Sequence, residues 1–113
     1  MQDINAKLRF LPLSAQKVRL VVDLVRGKDV NEAIEMLRFV NKRAAKPVRK
    51  LLASAVSNAE ENFGISRDDL YIAKIYADEA PTRRWRRFGA RGRFKPLLRR
   101  TSHVTVILRE RGA

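Results

Sequence analysis

At 113 residues the chain has the length of one domain, and 45% hydrophobic residues are enough to build a buried core. A net charge of +13 makes a compact body repel itself and calls for a polyanionic partner. The absence of cysteine excludes disulfides, thiol catalysis and cysteine-zinc sites, and suits a reducing cytosol. No apolar h-region of a signal peptide is visible, and no apolar run nears the roughly 20 residues of a membrane span, so no membrane partner is expected.

In chain order, Ala6 to Leu11 alternates polar and apolar residues and predicts a short strand that Pro12 ends. Ser14 is a good N-cap for a helix whose apolar face is Val18, Val21, Val22 and Val25, with Gly27 as its stop. Valines are mediocre helix formers, so packing must hold this helix. Asp29 to Glu32 has capping-box spacing and predicts a second helix with a stripe of Ala33, Ile34, Leu37 and Val40. A third is expected from near Asn41, buried along Ala44, Ala45, Val48, Leu51, Leu52, Ala55, Val56 and Ala59, and leaving at Gly64. Pro47 predicts a kink or a late start there. Leu70–Glu79 and His103–Glu110, rich in β-branched and aromatic residues, are the clearest strands.

Between those two strands lies RRWRRFGARGRFKPLLRR, from Arg83 to Arg100. It holds nine of the 25 basic residues and none of the 12 acidic ones. A connection this long far exceeds a hairpin loop of 2–5 residues. If the strands continue outward, each side of an arm spanning about 81–101 has about ten residues and reaches on the order of 30 Å. Gly89 and Gly92 supply the turn. Arginine binds phosphate in a bidentate way and stacks on bases, and Trp85, Phe88 and Phe94 suit unpaired bases. The alternative is a solvated charge run with its aromatics packed across the hairpin. The excess of arginine over lysine, eight to one, favours nucleic acid.

The candidate binding residues of the arm are Arg83, Arg84, Trp85, Arg86, Arg87, Phe88, Arg91, Gly92, Arg93, Lys95, Arg99, Arg100, Thr101, Ser102 and His103. A second set, basic apart from Ser14, forms a candidate phosphate-binding face on the body: Ser14, Lys17, Arg19, Arg26, Lys28, Lys42, Arg43 and Lys46, with Arg49 and Lys50 beyond them. No catalytic or metal site is expected, and no cofactor. His103 has no second histidine, and the acidic pairs Glu60–Glu61, Asp68–Asp69 and Asp78–Glu79 are sequence neighbours whose side chains diverge. "GARG" is neither a P-loop nor a dinucleotide fingerprint.

Three stretches carry a family resemblance: SAQKVRLVVDLVRGKDVNEAIEML (Ser14 to Leu37), NKRAA with ASAVSNAEEN (Asn41 to Asn62), and ARGR with RRTSHVTVIL (Ala90 to Leu108). Together they resemble the bacterial L-twenty-two family of large-subunit ribosomal proteins, in order and over nearly the whole chain. The resemblance implies an α+β fold of three helices packed on a small three-stranded antiparallel sheet, with a long protruding basic β-hairpin. It implies a non-catalytic constituent of the large subunit that binds large-subunit ribosomal RNA and neighbouring ribosomal proteins and supports subunit assembly. The hairpin of such proteins lines the polypeptide exit tunnel, so the nascent polypeptide is a partner at the tip, in a cytoplasmic ribosome. Arg91, Gly92 and Arg93 match the family's basic run near the tip. Arg99 to His103 match the return of the arm, and Ser14, Lys17 and Arg19 the start of the first helix. The chain departs from the family at Phe88-Gly89, where Pro-Arg is frequent, at Pro47, and at Trp85.

The competing reading is a DNA-architectural protein with a minor-groove arm. Such proteins dimerise through helices. Here each helix has one apolar stripe, enough for the internal core, so no homo-oligomer is expected. A membrane-active cationic helix is disfavoured by the glycines and Pro96 of the basic segment.

Overall fold

The computed structural model describes residues 3–81, 83–88 and 94–111. Strand β1 (Ile4–Leu11) is followed by helices α1 (Ala15–Val25), α2 (Val30–Leu37) and α3 (Ala45–Phe63). A 3-10 turn at Arg67–Asp69 leads into β2 (Leu70–Glu79), then β3 (Arg83–Phe88), β4 (Phe94–Arg99) and β5 (Ser102–Glu110). β5 is the centre of a three-stranded sheet of order β1-β5-β2, antiparallel on both sides, and β3 and β4 form a separate antiparallel pair. The fold is thus α+β, three helices on a three-stranded antiparallel sheet, as the resemblance implies.

The helices cover one face of the sheet because burial on the strands alternates. Val104, Val106 and Leu108 of β5 are fully buried, and Thr105 and Ile107 between them are half-exposed. Val18, Val21, Val22 and Val25 of α1 and Val48, Leu52, Ala55 and Ala59 of α3 close over the buried side. Packing on all four valines is what holds α1, as their weak helix preference demands. The Ser14 hydroxyl accepts from the Lys17 N–H at 3.4 Å, which confirms the expected cap.

In β2 a bulge between Ile72 and Lys74 resets the alternation. Leu70, Ile72, Ile75 and Ala77 therefore all reach the core, and Lys74 is exposed. Without the extra residue Lys74 would point inward unpaired, at high cost.

Three local expectations are corrected. The capping box at Asp29–Glu32 does not form. Asp29 occupies the N-cap position, but its side chain makes no cap bond and instead accepts from Arg111 Nε. Arg111 also lies over the Tyr71 ring, 4.5 Å from its centroid, so the end of the chain out-competes the local cap. Helix α2 ends at Leu37, leaving Val40 outside it, half-buried. Helix α3 begins at Ala45 rather than near Asn41, which puts Pro47 in its first turn. There the missing N–H has no intrahelical partner to lose, so of the two outcomes expected from Pro47 the late start is the one found. Gly64 ends α3 at φ 65°, with its N–H bonded to Ala59 O, as expected of a left-handed cap.

The outer edge of β2 is covered rather than left open. Gly27 N–H donates to Ile72 O at 3.1 Å, and Ile72 N–H donates to Lys28 O at 2.9 Å. Gly27 is at φ 80°, a left-handed conformation that turns the chain from α1 onto this edge. An exposed edge would be a template for foreign strands.

Candidate nucleic-acid interface

The arm begins where the sheet ends. β2 and β5 pair as far as Glu79↔Ser102. Ala80 N–H then donates to Thr101 O at 3.0 Å, and the Thr101 hydroxyl donates to Pro81 O at 3.0 Å. These two bonds tie the strands together just before the β3–β4 ladder opens at Arg83↔Arg99. The ladder runs through Arg84↔Leu98, Trp85↔Leu97, Arg86↔Pro96 and Arg87↔Lys95 to Phe88↔Phe94. Thr101 therefore closes the root of the arm. Pro96 is tolerable because a two-stranded ladder leaves half of its donors without a partner strand. The expected tip residues Arg91, Gly92 and Arg93, and the Gly89 turn, lie outside the described residues.

Beside the root is a cleft of about 580 Å³ lined by residues from four parts of the chain, one of them the end of β2 at Glu79 and Ala80. The turn into α1 contributes Ser14 and Lys17, the α2–α3 link contributes Arg43, and the arm's return contributes Arg100 and Thr101. Lys17, Arg43 and Arg100 are exposed, and Glu79 is the one carboxylate in the lining. The first turn of α1 carries no acidic residue, so its N-terminal field adds to the cationic side chains. Together they form a surface suited to phosphate. Lys42, next to Arg43 in that link, and Lys46, in the first turn of α3, are exposed.

Other expected contacts have work inside the fold. Arg19 Nε donates to Ala77 O at 3.1 Å, and an Arg26 terminal nitrogen donates to Ile75 O at 2.8 Å. Arg26 also pairs with Asp23 at 2.7 Å. Both arginines thus cap outward carbonyls of β2 and lock α1 against its edge. Lys28 lies 3.6 Å from Glu32. Ser102 is fully buried, its hydroxyl without a hydrogen-bond partner among the described residues, so its side chain presents nothing to the surface.

His103 is half-buried. Its Nδ1 accepts from the Phe10 N–H at 3.1 Å, and the two rings meet edge to face at 4.7 Å. Phe10 sits at φ 56° in a bulge between Leu8 and Leu11. Alternation alone gives no sign of this bulge. At the far end of the same strands, Asp3 pairs with Arg109 at 2.6 Å, and that guanidinium holds the Asp3 carboxyl below the usual range.

Among the described residues no group of three or more His, Cys, Asp or Glu side chains is placed to hold a metal ion, and no helix is long and apolar enough to cross a membrane. A family model for ribosomal protein L22p/L17e matches residues 6–109, spanning the body, the cleft and the arm. With helices, sheet and basic ladder in one continuous match, the chain belongs to this family of ribosomal proteins, structural constituents of the large ribosomal subunit.

Proposed function

We propose that the protein is a non-catalytic anchor of large-subunit ribosomal RNA, built as one domain with an arm at about 81–101. The cleft at the root of the arm grips RNA phosphates with Lys17, Arg43 and Arg100, and the β3–β4 arm carries the remaining basic residues between RNA segments. By joining such segments it supports subunit assembly. The arm lines the polypeptide exit tunnel, with neighbouring ribosomal proteins and the nascent chain as further partners, in a cytoplasmic ribosome. One observation carries this reading: β2 and β5 are paired and bonded up to the point where the ladder of the basic segment begins. The sheet therefore sets where nine cations are delivered, which a free basic tail cannot do.

Crosslinking tests it. A photo-crosslinker at Ala90 in translating ribosomes is expected to capture nascent chains, and one at Lys17 to capture ribosomal RNA. Capture of solvent-side proteins alone from Ala90, with RNA still captured from Lys17, removes the tunnel assignment and leaves the RNA one standing. In binding assays, alanine at Arg83, Arg84, Arg86 and Arg87 should flatten the plot of log affinity against log salt. The slope should fall by about 0.7–0.9 for each phosphate that is no longer neutralised.

A further inference from the structure

Apart from His103, the face of the sheet turned away from the helices supplies none of the binding residues named above. Its rows follow from the strand registers. Lys7, Thr105 and Tyr76 lie side by side across the three strands, and Asn5, Ile107 and Lys74 form the next row. On the other side are His103 and, across from it, Asp78, with the Phe10 ring against the imidazole. Phe10 is 57% exposed and Tyr76 42%. A shallow depression lined by Asn5, Lys7, Tyr76, Thr105 and Ile107 joins the rows.

Phe10 is an unusual choice for its position. An aromatic residue at positive φ carries strain on the order of 1–3 kcal/mol, which Gly would relieve and Asn reduce. Its N–H is bonded to His103 instead of to a strand. The fold gains little from the ring, which remains more than half exposed. The bulge therefore serves to turn an aromatic face outward and hold it there.

We propose that this sheet face is a stacking platform for unpaired RNA nucleotides, with Phe10 and Tyr76 as the two base-stacking rings and Lys7 and Lys74 as phosphate contacts. Neither lysine has a carboxylate within ion-pair distance among the described residues, so both are available to an anion. Asn5 and Thr105 beside them offer donors and acceptors to base edges. The two rings stand two strands and about one row apart, roughly 12 Å from strand spacing and rise, which leaves room for two separate bases. A duplex hides its base faces, so exposed rings favour single strands over paired RNA. The proposal rests on the RNA-binding reading and adds a second kind of contact to it.

The test titrates the full chain with an oligoadenylate hexanucleotide and, separately, with a blunt RNA duplex, following the ring resonances of Phe10, Tyr76 and His103 by NMR. Expected are shifts of these rings with the hexanucleotide and not with the duplex. Phe10→Gly and Tyr76→Ser should each weaken hexanucleotide binding on the order of tenfold, while Tyr76→Phe keeps it. Both altered sites are exposed, and Phe10→Gly relieves the strain, so thermal melting should show folded proteins. If both variants bind like the parent while alanine at Arg83, Arg84, Arg86 and Arg87 weakens binding, the platform is wrong and the RNA anchor stands. If the parent binds neither RNA, the anchor itself falls. Ring shifts with a tail peptide of a neighbouring ribosomal protein but not with RNA would assign the face to protein and overturn the proposal.

Discussion

Arginines that look alike in a +13 chain divide into two kinds once their partners are seen. Arg19 and Arg26 donate to carbonyls of β2, whereas Arg43 and Arg100 face the cleft. A hydrogen bond from a charged donor contributes more than a surface ion pair, which is worth about 0–1 kcal/mol. Replacing Arg26 by Ala should therefore lower stability by about 1–2 kcal/mol in urea unfolding, mainly through the bond to Ile75 O. Arg43→Ala should leave the midpoint nearly unchanged and weaken RNA binding. Equal effects of the two on stability would place Arg26 among the surface charges after all.

At the scale of the element, α3 shows how position overrides propensity. Pro47 is in the first turn, where it removes no helical bond. Pro47→Ala is expected to shift the unfolding free energy by less than about 0.5 kcal/mol. A proline at exposed Ser54, in the middle of the same helix, should cost about 3 kcal/mol or more. Circular dichroism and denaturant unfolding of the two variants would check the contrast, and a large destabilisation from Pro47→Ala would show that the proline does more than start the helix.

For the whole molecule, body and arm are joined through the root at Ala80–Pro81 and Thr101. The register Arg84↔Leu98 shows where the arm can be cut: replacing Trp85 to Leu97 by Asn-Gly leaves two paired residues joined by a favoured hairpin turn. That protein should melt within a few degrees of the parent and still enter large subunits through the cleft, but with weaker binding to isolated RNA. A collapse in melting temperature would mean that the arm contributes to the fold.

The limits of β2, the four buried valines of α1, the Gly64 stop and the basic segment between two strands were all legible in the amino-acid sequence. Each is written in local periodicity, or in one residue with a special backbone preference, and burial along a single element repeats with that element's own period. The family resemblance also rested on contiguous stretches. What the sequence left open was settled by partners far away along the chain. Arg19 finds Ala77, Arg26 finds Ile75, and Asp29 gives up its cap for Arg111, across separations of 58, 49 and 82 residues. The bulges that expose Lys74 and turn Phe10 outward belong to the same class, because they exist only relative to β5. A hydrogen bond or a register is a property of two segments at once, so only the tertiary structure could decide which cations brace the sheet and which remain free for RNA.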